Sequence, residues 1–154
     1  MKLSKEAIAQ IKYVWEKFCI GFDSQEELKW DTAELGEMDA YYANEALCIA
    51  IRLIAADGQF TQEEADCLNE IFGYGYTVDT LKEVYVNLGD VIERVTDEDL
   101  DDGIRLMRRY NSDMASEYKI FLDTFCKAVL SSDSQVTEDE REAADQILKS
   151  IALE

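Results

Sequence analysis

Apolar residues recur along most of this chain at alternating steps of three and four, the spacing that lines one side of an α-helix. Ile8, Ile11, Trp15, Phe18 and Phe22 make the first stripe, and Ser4 stands where it can cap the helix, which predicts a helix to about Phe22. Residues 23–38 are polar and acidic around Trp30. That is long for a structureless connection, so a short helical turn is expected near Gln25–Leu28, with Trp30 pinning the segment to the core. A second helix is predicted over roughly Asp39–Ala56; from Ala46 to Ala56 only Arg52 is polar. A helix apolar on nearly every side is surrounded by other helices, which places this one at the centre of the fold.

Asp57-Gly58 stops the second helix, and Thr61 with Glu64 forms a Thr-x-x-Glu capping box that starts a third at Gln62. Gly73 ends it, because glycine reaches a positive φ without a Cβ clash, and Gly73-Tyr74-Gly75-Tyr76 reads as an aromatic turn wedged into the core edge. Thr77 caps a fourth helix with its stripe at Leu81, Tyr85, Leu88, Ile92 and Val95. Thr96 caps a fifth, acidic in its first turn and carrying Arg105, Arg108 and Arg109 near its end, an order that complements the helix dipole. A sixth, from Asn111–Asp113 to Ser131, has its stripe at Met114, Tyr118, Phe121, Leu122, Phe125, Cys126, Val129 and Leu130. A second capping box, Thr137 with Glu140, opens the last helix with Ala144, Ile147, Leu148 and Ile151. The expectation is an all-α fold: a compact bundle of six to seven helices in one domain spanning residues 1–154, containing two related helix–turn–helix units.

Composition sharpens this picture. The 154 residues include no proline and only 7 glycines, which suits helices on short connections better than a turn-rich β fold. The formal net charge is −19, from 34 acids and 15 bases. Phosphate backbones and anionic membrane surfaces repel such a chain, so nucleic acid and lipid are excluded as partners, while cations and basic protein surfaces fit. No apolar run reaches the ~20 residues of a membrane helix, and Met1–Glu6 lacks the apolar core of a signal peptide. Cys19, Cys48, Cys67 and Cys126 are far apart, each in an apolar helical context, and the chain has no histidine. A Cys/His zinc site is thereby excluded, the thiols read as small core residues, and a reduced, cytoplasmic setting is expected.

The two capping boxes belong to a longer repeat. Setting Asp57 on Asp133 aligns Gln59 with Gln135, Thr61 with Thr137, Glu64 with Glu140 and Ile71 with Ile147, without gaps; Phe60 pairs with Val136 and Ile54 with Leu130, and the second copy replaces Gly58 by Ser134. Asp-Gly followed by Glu is also the second half of an EF-hand calcium loop. Placing Asp57 at loop position 5 and Glu64 at 12 puts Leu53 and Ala55 at positions 1 and 3, and Val129 and Ser131 in the second copy. Calcium needs oxygen ligands at those positions, so a degenerate EF-hand-like calcium sensor is the weakest of the binding readings.

The segment Ile54-Ala55-Ala56-Asp57-Gly58-Gln59-Phe60-Thr61-Gln62-Glu63-Glu64, the apolar spacing after it and its return near the C-terminus resemble the TerB-like domain, over about residues 40–152. That family includes tellurite-resistance TerB proteins and a related domain beside J-domains in membrane-anchored co-chaperones. The resemblance implies an all-helical bundle built around two such units, an association with tellurite or metal stress, and a non-enzymatic role in weak cation binding or as a scaffold, with a basic protein surface or a membrane-associated complex as partner. It also implies a divalent-cation site at Asp57, Glu63 and Glu64 of the first unit and Asp133, Asp139 and Glu140 of the second. An ordinary structural reading stands beside it, since the boxed glutamates already start helices and Asp before Gly forms turns. An acidic interaction module without metal is the alternative function. Catalysis is not expected: there is no histidine base, phosphate loop or nucleophile elbow.

Overall fold

The chain folds into α1 (Lys5–Cys19), α2 (Thr32–Leu35), α3 (Met38–Ile54), α4 (Gln62–Phe72), α5 (Val78–Arg94), α6 (Leu100–Tyr110), α7 (Ser112–Leu130) and α8 (Glu138–Leu153), with no strand among the described residues. The computed structural model describes residues 3–54, 60–94, 100–131 and 136–153. The turn residues Asp57–Gln59 and Asp133–Gln135, the cap Thr96 and the acids Asp97–Asp99 lie outside them.

α3 sits at the centre, as its composition requires. Every residue from Glu45 to Ile54 except Arg52 is buried. α5, α7 and α8 pack around it, and α7 in turn carries α1, α6 and α8. One hydrophobic core runs from Leu3 to Ile151. Its aromatic spine joins α1, α4 and α7: Trp15 lies 5.2 Å from Phe72 and 4.9 Å from Phe121, and Phe18 stacks on Tyr118 at 4.9 Å. Burying each such ring contributes about 1.5–3 kcal/mol, against well under ~1 kcal/mol for an exposed ion pair. The Lys12–Glu70 bridge between α1 and α4, 3.3 Å long, is exposed. Apolar contact therefore holds α1 in place.

The helix ends follow the residues that cap them. Ser4 Oγ accepts from the Ala7 N–H, Asn111 Oδ1 from Asp113 and Met114, and Gly73 closes α4 at φ +74°. After it, Asn69 clamps the backbone of Tyr76 through both its amide atoms, at 2.7 and 2.8 Å. That clamp fixes the aromatic turn. The first helix stops at Cys19, three residues short of Phe22, and continues as a 3₁₀ turn over Ile20–Ser24. In the acidic segment the expected turn at Gln25–Leu28 is present as hydrogen-bonded turns, and a further short helix, Thr32–Leu35, follows with Asp31 as its cap. Trp30 is buried and donates its indole N–H to the Gly36 carbonyl at 2.8 Å. Gln25 accepts from the Met38 N–H at 2.6 Å and so caps the start of α3. Leu88 departs from the predicted stripe: it is exposed, because α5 lies at the edge of the bundle against α3 and α4 alone among strong contacts.

A polar knot joins α3, α6 and α7 inside this core. Tyr118 of α7 donates its hydroxyl to Glu45 Oε1 at 2.7 Å, and Tyr42 donates to the Gly103 carbonyl at 2.7 Å. Gly103 lets α6 approach: a Cβ there would stand 2.5 Å from both Glu45 carboxylate oxygens. Glu45 is buried and tethered by Tyr118, so it has little room to retreat. Gly103→Ala is expected to lower stability by about 1–3 kcal/mol, the range for overpacking a filled interior. Urea unfolding would read this as a lower midpoint with an unchanged slope; an unchanged midpoint would show that the helices separate freely here.

Candidate functional site: the paired capping glutamates

The two units begin α4 and α8 in nearly the same way. Thr61 has an extended backbone, its Oγ1 accepts from the Glu64 N–H at 3.2 Å, and Glu64 Oε1 accepts from the Thr61 N–H at 2.8 Å. That is a complete capping box. In the second unit Thr137 Oγ1 accepts from the Glu140 N–H at 3.2 Å and donates to Glu140 Oε1 at 3.0 Å, and the Thr137 backbone N–H also favours the same carboxylate. Glu140 Oε2 is buried with no hydrogen-bond partner among the described residues.

Both glutamates are at most 3% exposed, although each sits in the first turn of a helix. Burial pushes the Glu64 carboxyl up from its usual range, against the hydrogen bonds from Thr61 that favour the ionised form. Burial does the same to Glu140, the Thr137 hydrogen bonds oppose it, and the charge of Glu64 pushes it further up. The Glu64 charge thus reaches the corresponding glutamate of the repeat across the fold, as the smallest of the influences on it. The Glu64 charge and burial also raise the Cys67 thiol, one turn further along α4, to about 12.

Of the six carboxylates singled out in the sequence, the structure brings Glu64 and Glu140 within electrostatic reach. Glu63 and Asp139 are exposed, each one residue before its buried neighbour. Asp57 and Asp133 lie outside the described residues. Among the described residues no three Cys, Asp or Glu side chains gather as a ligand set. The calcium-loop alignment fails on geometry as well as on chemistry: Leu53 and Val129, at its first position, are fully buried within α3 and α7.

A third buried carboxylate, Glu45, was not among the sequence candidates. Its signal was present. Met38, Tyr42, Glu45 and Ile49 follow each other at steps of four, three and four, which places an acid inside an apolar stripe. Burial, then the Glu45 charge, raises the Tyr42 phenol, the Tyr118 phenol and the Cys48 thiol, so Tyr118 remains a protonated donor to Glu45.

No protein-family model matches the chain, and no curated protein or solved structure is significantly similar to it.

The raised carboxyls set a pH dependence. A carboxyl more basic in the folded state binds protons more readily there than in the unfolded chain, so acidification favours folding between its folded value and the usual 4.5. The melting temperature is expected to gain, on going from pH 7 towards 4.5, more in the parent chain than in the Glu64→Gln/Glu140→Gln double variant. Parallel melting curves across that window would show that these two groups do not carry the effect.

Proposed function

We propose that this chain is a non-enzymatic, TerB-like, cation-responsive module, which holds a divalent cation weakly between its two helix–turn–helix units and docks on a partner in metal or tellurite stress. One observation carries the cation reading: Glu64 and Glu140, equivalent in the repeat, are both buried, the Glu64 charge reaches Glu140, and Glu140 keeps one oxygen without a hydrogen-bond partner among the described residues. Like charges buried together repel, and a divalent cation relieves both the repulsion and the orphaned oxygen. Two carboxylates are few for a hard cation that takes six to eight oxygens, so affinity belongs at the weak end, about millimolar. The family resemblance would add Glu63, Asp139 and the turn residues Asp57 and Asp133. The stress association rests on that resemblance.

A cytoplasmic, reduced setting agrees with four free cysteines, three of them buried. The chain has no histidine, and the raised thiols, Cys19 and Cys67 to about 12, are not thiolates near neutral pH, so neither an imidazole base nor a thiolate nucleophile supports an enzymatic reading. A second reading has its own observation. The exposed positions of α4 and α8 carry Glu63, Asp66, Glu70, Glu138, Glu142 and Asp145, an acidic surface suited to a basic protein partner without any metal.

Melting the protein in millimolar calcium, manganese or zinc separates the two readings. The cation reading expects a rise of several degrees that vanishes in the Glu64→Gln/Glu140→Gln variant; no shift with any metal ends it. The metal-free reading expects a basic peptide to bind the parent and the double variant alike, and to be released by roughly 0.5 M salt, where the screening length is only a few ångströms.

A further inference from the structure

A cavity of about 520 Å³ opens between the end of α2, the outer side of α3, α5 and α6. Its size falls within the ~300–1,000 Å³ range of small-molecule sites and is far too large for a bare metal ion. We propose that it binds a small organic cation, an alkylammonium or guanidinium group on an apolar stem. This assignment is independent of the paired glutamates at the helix starts.

Three features of the lining favour that chemistry. The first is Glu45, which lines the cavity while being only 7% exposed. Tyr118 and the side-chain-free Gly103 hold its carboxylate in place from the α7 and α6 sides. A positioned, largely desolvated carboxylate attracts a cation more strongly than one in water, because the surroundings screen it less. The second is Tyr41, which also lines the cavity; its ring lies edge-on to Trp30 at 5.6 Å and to Tyr42 at 4.9 Å. A phenol ring fixed by its neighbours offers a cation–π contact without losing rotamer freedom. The third is the sign of the charge. The charged residues among the described lining are Glu37, Glu45 and Asp102, all acids. Arg105 and Arg109 line an adjoining hollow of about 290 Å³, which shares Tyr41 and Asp102 with the cavity, and Arg105 Nη2 lies 3.1 Å from Asp102 Oδ1. The end at Glu45 is thus negative and the far side of Asp102 positive, so a cationic head enters towards Glu45. Leu35, Ala40 and Val91 supply apolar wall for its stem.

The head group could belong to a free polyamine or to a lysine or arginine side chain of a protein. Calorimetric titration of the full chain at physiological salt with cadaverine and with agmatine tests the shared chemistry, and a short lysine–arginine peptide tests the source. Saturable one-to-one binding is expected. Tighter binding of the free amines assigns a metabolite source, and tighter binding of the peptide assigns a protein source. Glu45→Gln keeps the volume and an acceptor for Tyr118, and should weaken binding about ten- to a hundredfold, the worth of a charge-assisted hydrogen bond. Ala40→Trp fills the mouth at an exposed position, leaves the core untouched and should abolish binding whether or not the Glu45 variant folds. The Glu64→Gln/Glu140→Gln variant should bind like the parent. No saturable heat with either amine or the peptide, heat reproduced by matched sodium chloride, or binding unchanged by both cavity variants would overturn the assignment.

Discussion

Among the described residues three carboxylates are buried, in a chain that already carries a net charge of −19, and each meets a hydrogen-bond donor. Glu45 takes the Tyr118 phenol, Glu64 the Thr61 backbone N–H, and Glu140 the Thr137 hydroxyl. Leaving a buried charge without a donor costs several kcal/mol, more than a cap or a surface ion pair returns. The positions of these donors therefore constrain the packing. Tyr118 fixes α7 against α3, Gly103 brings α6 up to the same carboxylate, and the two threonines set where α4 and α8 begin. Burial of the apolar core, the aromatic spine included, supplies the stabilisation, and a packing that separated the glutamates from these donors would forfeit part of it.

The helical part of this arrangement was written plainly in the chain. Three-and-four spacing and short polar caps are local properties, so Ser4, Thr61, Asn111 and Gly73 mark their helix ends from sequence alone. The apolar run after Glu45 likewise announced a central helix. Where the outcome depended on distant partners, the spacing was insufficient. Leu88 lies on a regular stripe yet is exposed, since none of the described helices covers that side of α5. The short helix at Thr32–Leu35 depends on Asp31 as its cap, which a reading centred on Gln25–Leu28 passes over. Glu45 looks like one more charged residue until Tyr118, 73 positions later, folds onto it.

The candidate site shows the same division. Repetition identified Glu64 and Glu140 as equivalent, and the capping box explained why each sits at its helix start. Only the fold shows that the two starts lie within electrostatic reach, and that the second box closes on the hydroxyl and orphans an oxygen. The duplication is therefore not a pair of copies doing the same work. Glu64 closes its box on the Thr61 backbone, while Glu140 leaves one oxygen without a partner among the described residues.

The partnership of α1 with α7 bears on how the chain is made. α1 buries Ile11, Trp15 and Phe18 chiefly on a helix that begins at Ser112, with most of the protein between them. On a ribosome adding about 5–20 residues per second, that partner follows α1 by roughly 5–20 s. Throughout that time Phe72 of α4 and Tyr42 of α3 cover only part of the α1 stripe, and the side that meets Phe121 and Tyr118 waits for α7. The burial of α1 is thus completed late, and one side of Trp15 and Phe18 stays open until α7 arrives.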